Sequence, residues 1–221
     1  VRVDLDPGSG VLRLDDAGFA ALVAATAPGR PAPAAEVVPA LAAVLADERW
    51  RVALEVVHGA MARLTLTVAG RDARLVHRGW VRPDGCTLLL AVRDEERQLV
   101  LQPPDFLAAS LVRLTRIGPH RVDHARSPVP LDAWTRDHLT DPDPAVRQAA
   151  LAAIGVAGAG LAWRLEVRAG DHEQDLTAVD GPAGIHVHLP DPGGDLLLPT
   201  TSTAVFRLLS ALLPALADNL R

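Results

Sequence analysis

Met61-Ala-Arg-Leu-Thr-Leu-Thr-Val-Ala69, Gly70-Arg-Asp72, then Arg74-Leu-Val-His-Arg-Gly-Trp80 is the stretch whose reading decides the fold. Leu64, Leu66 and Val68 alternate with polar residues, which is the period of a strand with one buried face. Gly70-Arg71-Asp72 is a compact hairpin connection. Pro83-Asp84-Gly85 is a second turn signal, leading into the apolar run Cys86–Val92. After the charged turn Arg93–Arg97 comes Gln98–Leu101. An antiparallel meander follows from these signals, and Trp50–Val57 reads as an earlier strand of the same alternating kind.

Upstream, the period is helical. Val11–Leu14 reads as a short strand, and Asp15 or Asp16 caps a helix to about Ala25 with Phe19, Leu22 and Val23 on one face. Pro28–Pro33 breaks it, and a second helix is expected over Ala34–Ala46. Downstream, Pro103-Pro104 stops the meander and a helix runs from Phe106 to about Thr115.

The same order recurs past Gly118–Pro130, a proline-rich stretch read as a linker. Leu131–Leu139 and the segment opened by Asp141-Pro-Asp-Pro read as two helices, since aspartate and proline suit a helix start. Trp163–Ala169, Asp175–Val179, Gly184–Leu189 and Leu196–Leu198 read as strands. A last helix spans about Ser202 to Leu216. Trp50-Arg-Val-Ala-Leu-Glu-Val matches Trp163-Arg-Leu-Glu-Val with a two-residue slip, and Leu99-Val-Leu-Gln-Pro matches Leu196-Leu-Leu-Pro. The expectation is an α+β fold: a pseudo-two-fold pair of duplicated helix-helix-antiparallel meander-helix units around a central twisted antiparallel sheet. The halves are residues 1–117 and 131–221, with 118–130 between them, packed as one globular unit.

Composition narrows the function. At 221 residues, 49% apolar and 22% charged, the chain can bury a sizeable core. A formal net charge of −5 gives no broad basic surface, so nucleic acid is not an expected partner. Every basic residue other than histidine is arginine, and with abundant Ala, Leu, Val, Pro and Gly this reflects GC-rich codon supply more than chosen anion sites. The one cysteine, Cys86, excludes an internal disulfide and a multi-cysteine zinc site, and reads as a small core residue. No apolar leader opens the chain, and the longest apolar run, Ala149–Ala162, is interrupted by glycines. A cytoplasmic location without membrane contact is expected.

Chemistry-bearing motifs are few. His186-Val-His188 puts two imidazoles on one strand face, where they could share a metal with Asp191 or Asp195. The plainer reading is a solvent-facing strand face, since no third histidine is suitably spaced. His120 and His124 lie between prolines. No nucleophile elbow, Walker A loop or dinucleotide fingerprint occurs, so no catalytic, cofactor-binding or metal residue is assigned. Trp50 and Trp163 read as core anchors. Val205, Leu208, Leu209, Leu212, Leu213 and Leu216 make the terminal helix apolar enough either to pack on the sheet or to meet a partner.

Leu14-Asp-Asp-Ala-Gly-Phe-Ala-Ala-Leu22, the strand and helix Leu99–Leu114, and the repeated strand-to-helix at Leu196–Leu213 resemble the EspG family, actinobacterial proteins associated with type VII (ESX) secretion. The resemblance implies a pseudo-symmetric α+β fold and a non-enzymatic cytosolic chaperone or adaptor. Such a protein would hold a helical secretion substrate of the PE–PPE type before export. It carries no catalytic residues, and its shape-based binding surface assigns no residue here, so the protein-binding residues are unknown. The hairpins are tight where some members carry a long binding loop. The alternatives are a homo-oligomeric structural or regulatory protein, as a homodimer through its terminal helix, and a metal-binding enzyme using His186 and His188.

Overall fold

The computed structural model describes residues 1–6, 8–29, 39–93, 95–118, 127–155, 160–181, 184–190 and 194–218, with backbone alone for 212–218. The chain divides into two compact units: Val1–Leu64 with His77–Leu107, and Thr65–Val76 with Ala108–Arg221. The fold is α+β, and every described strand pair is antiparallel.

The first unit begins with β1 (Val3–Asp6) and β2 (Val11–Leu14), then α1 (Asp16–Ala25), α2 (Pro39–Ala46) and α3 (Glu48–His58). The meander follows as β3 (Ala62–Ala69), β4 (Arg74–Arg82), β5 (Gly85–Ala91) and β6 (Arg97–Gln102). The chain then makes a 3-10 turn at Pro104–Phe106 and enters α4 (Leu107–Leu114). β2 lies between β1 and β6, with Leu12 opposite Leu5 and Leu99. That register aligns Leu12, Leu14 and Leu99 on the face that receives Phe19, Leu22, Trp50 and Leu54.

The expected strand Trp50–Val57 is the helix α3. Asp47 caps it, accepting from the Arg49 N–H at 2.9 Å, and the Gly59 N–H closes its end on the Glu55 carbonyl. Trp50, Ala53, Leu54 and Val57 are buried at spacings i, i+3, i+4 and i+7, whereas a strand would have buried Val52, which is 38% exposed. The match between Trp50 and Trp163 therefore joins a helix to a strand and does not mark equivalent positions. β1 and a two-residue strand, β7 (Val129–Pro130), are additions to the expected order. Residues 34–38 of the expected second helix, and most of the expected linker, lie outside the described residues.

Gly79 shows how tightly the meander closes. A Cβ there would stand 2.7 Å from Leu64 Cγ and 2.8 Å from Leu88 Cδ2, so the neighbouring leucines fill the space a side chain would take.

The second unit continues with α5 (Ala133–His138), α6 (Pro144–Ala153), β8 (Leu161–Ala169), β9 (His172–Gly181), β10 (Gly184–Leu189), β11 (Leu196–Thr200) and α7 (Ser202–Asp218). Strand order is β8-β9-β10-β11-β7. Asp132 and Asp143 cap α5 and α6, accepting from the Thr135 and Ala145 N–H groups at 2.8 Å each. α6 ends at Gly155, whose φ of 73° is the left-handed turn that glycine adopts without cost. Leu139, Leu151 and Ile154 pack with Ala162, Val179 and Leu197 of the strands.

The β3–β4 hairpin tip belongs to this second unit, and arginines hold it there. Arg147, only 2% exposed, donates to the carbonyls of Gly70 (3.2 Å), Arg71 (3.2 Å), Asp141 (2.7 Å) and Pro142 (3.0 Å). Arg74 adds a bond to the Thr140 carbonyl at 2.9 Å. A planar guanidinium with five donors can serve four carbonyls at once, which an ammonium cannot. Among the described residues no helix is long and apolar enough to cross a membrane.

Arg147→Met fills the volume but leaves four carbonyls short of donors. A loss of about 3 kcal/mol of stability is expected, with Arg147→Lys intermediate. Urea denaturation of the three proteins checks the order.

Candidate protein-binding surface

α7 begins where Pro199 and Thr200 end β11. Thr201 caps it, its hydroxyl accepting from the Ala204 N–H at 3.0 Å, and the Ser202 hydroxyl donates to the Gly118 carbonyl. Val205 and Leu209 turn inward and are buried. Phe206 (43% exposed) and Leu208 (39%) stay at the surface. At 100° per residue they flank the buried stripe on opposite sides. The expected single stripe is thus split here: Leu208 lines a hollow of about 330 Å³ with Leu176, Pro190 and the polar residues Glu173, Gln174 and Asp175. The side chains of Leu212, Leu213 and Leu216 lie outside the described residues.

Among its described residues the second unit exposes two further large apolar side chains, Leu189 and Trp134. Trp134 sits on α5 with its ring stacked on His138, centroids 4.7 Å apart. The His138 Nδ1–H donates to the Trp134 carbonyl at 2.7 Å, which fixes the pair. Scattered apolar exposure is ordinary, but aromatic residues, tryptophan and phenylalanine among them, are enriched at protein interfaces.

His186 and His188 correct the expectation of a solvent-facing strand face: each is 5% exposed. β10 is buried on both sides, Ile185 and Val187 on one and the two histidines on the other. His186 lies opposite Val179 and Pro199, and His188 opposite Leu197, the side where α5 and α6 pack. His188 Nε2 stands 3.3 Å from Asp195 Oδ1, and Arg136 holds the other carboxylate oxygen at 2.6 Å. The His188 contact first, then the charges of His188 and Arg136, hold the Asp195 carboxyl below the usual carboxylate range. The Asp195 carbonyl also accepts from the Leu131 N–H at 2.9 Å. The cluster ties the start of β11 to α5, a link that no sequence spacing signalled. Among the described residues no group of three His, Cys, Asp or Glu side chains is placed to hold a metal ion. Asp191, His120 and His124 lie outside the described residues.

His77 and Cys86 are buried in the first unit. The His77 Nδ1 accepts from the Ala91 N–H at 3.1 Å, and burial, with the Arg97 charge, pushes its pKa down to about 4. Burial pushes the Cys86 thiol up to about 12, so it is not a thiolate nucleophile at neutral pH. Trp50 and Trp163 are 1% and 0% exposed, core anchors as expected.

His77 makes stability depend on pH. Its folded pKa lies below the unfolded value of 6.5, so its contribution is complete above pH 6.5 and is lost as pH falls towards 4. Against His77→Gln, whose side-chain oxygen keeps the acceptor, the parent chain should lose about 2 kcal/mol more between pH 7 and 4.5. Denaturant titrations at the two pH values measure the difference.

No protein-family model matches this chain, and no curated protein does. Among solved structures it is similar to the Mycobacterium tuberculosis type VII secretion system chaperone EspG5, solved in complex with a PE25–PPE41 dimer. The TM-score is 0.52 at 14% identity, and the match covers 92% of this chain and 95% of that one. The fold is therefore EspG-like over nearly its whole length, as the sequence pattern implied.

Proposed function

We propose that this EspG-like fold works as a non-enzymatic cytosolic chaperone or adaptor, holding a helical type VII secretion substrate before export. The observation that carries the reading is the length of the likeness. It runs across both halves of the chain and nearly all of the chaperone, without a large insertion or missing lobe to suggest a different use. EspG5 is solved with a PE25–PPE41 dimer, so a helical pair of that kind is the first partner to try. Phe206 and Trp134 are the anchors we assign to the contact, because both are large, aromatic and already at the surface.

The element order supports the further reading that the halves, residues 1–117 and 131–221, are copies of one module, the second prefaced by β7 at the end of the intervening 118–130. A strand, helices, a four-stranded meander and a helix follow each other twice: β2 to α4, then β7 to α7. The first strand of each module pairs with the last strand of its meander, β2 with β6 and β7 with β11. Copies of one module can share a fold after their residues have diverged.

Co-expression with PE–PPE pairs from the source genome tests the function. A stable 1:1:1 complex on size exclusion with light scattering is expected. Phe206→Glu or Trp134→Glu should weaken it about 30-fold without shifting the melting temperature of the free chain. A homodimer that takes up none of the pairs would overturn the reading and move the weight to self-association.

A further inference from the structure

β9 is longer than its neighbour on one side. It pairs with β8 over its whole length, from Ala169↔His172 to Leu161↔Asp180. Its register with β10 runs only from Gly184↔Gly181 to Val187↔Ala178. Among the described residues, those two strands are its only sheet neighbours. From His172 to Leu176, therefore, β9 has no described strand pairing on the side facing away from β8. Such an edge presents a row of backbone N–H and C=O groups that another strand can satisfy.

The surroundings are shaped for an added strand. Pro190 ends β10, and Leu208 of α7 stands across the hollow that opens beside Glu173, Gln174, Asp175 and Leu176. His172, Glu173, Gln174 and Asp175 are all exposed. Side chains alternate across a strand, so Glu173 and Asp175 point to one face while Leu176 points to the other. Each acid already has an arginine on its β8 side: Arg168 lies 2.9 Å from Glu173, and Arg164 lies 3.2 Å from Asp175. The carboxylates remain 57% and 36% exposed and can accept a second cation from the open side.

We propose that the His172–Leu176 edge of β9 is a strand-addition site for an extended peptide segment in which basic and apolar residues alternate. The basic side chains lie over Glu173 and Asp175, and the apolar ones face Leu176 and Leu208. A second copy of this chain fits poorly. Pairing the edge antiparallel to itself about Glu173, Gln174 or Asp175 sets acid against acid, which destabilises a strand pair. The proposal stands on strand register and charge alone and does not depend on the helical-partner reading.

The test uses the full chain and a fluorescein-labelled heptapeptide of alternating arginine and valine. Two analogues carry N-methyl groups on either the odd or the even amides. Successive N–H groups of a strand point to opposite edges, so strand addition requires one analogue to bind like the parent peptide and the other about tenfold more weakly. The double variant Glu173→Gln, Asp175→Asn, both at exposed positions, should lower affinity about tenfold at low salt. Amide exchange at residues 172–176 should slow when the peptide is present. Equal binding of both analogues would show charge attraction without strand pairing and overturn the proposal. So would protection of the same amides in the absence of peptide, rising with protein concentration.

Discussion

The guanidinium of Arg147 is the constraint on which the second unit depends. It is a charge taken almost wholly out of water. Among the described residues no carboxylate is bonded to it, and four backbone carbonyls stand in for solvent. Two come from the β3–β4 turn and two from the connection between α5 and α6. The turn thereby belongs with residues far later in the chain, and hairpin, helix pair and strands share one packing problem. A carboxylate would bind the charge from a single point. Four carbonyls bind it from two chain segments and fix both.

Strand alternation and acidic caps made most of the architecture legible in the sequence. Leu64, Leu66 and Val68 gave β3 its buried face, and Asp15 and Asp143 each accept from a helix N–H as their positions implied; Asp132, read as part of its helix, caps it instead. Trp50–Val57 misled because its apolar residues satisfy both periods. Trp50 and Leu54 are buried under either, and only exposed Val52 against buried Ala53 and Val57 separates them. Asp47, the capping residue that resolves the ambiguity, is equally at home in a turn.

The histidines of β10 failed for a different reason. Alternation predicts which residues share a face and says nothing of what covers it. A polar pair reads as a wet face, yet here the pair lies beneath helices, with Asp195 beside His188 and Arg136 holding Asp195 in turn. The exposed aromatics were equally hidden from pattern. Phe206 and Val205 are adjacent and similar in hydropathy, and only the pose of α7 decides which is presented to a partner. The family resemblance survived these misreadings because it rested on the order of strands and helices, which packing preserves more faithfully than individual residues.

The outermost strand of the second unit, β7, is two residues long and ends in Pro130. Proline has no N–H to donate, and so short a ladder offers little to copy. That side of the sheet is a poor template for the edge-to-edge stacking that seeds aggregates. Through that edge, at least, raising the concentration of the protein gives its copies little to recruit one another by.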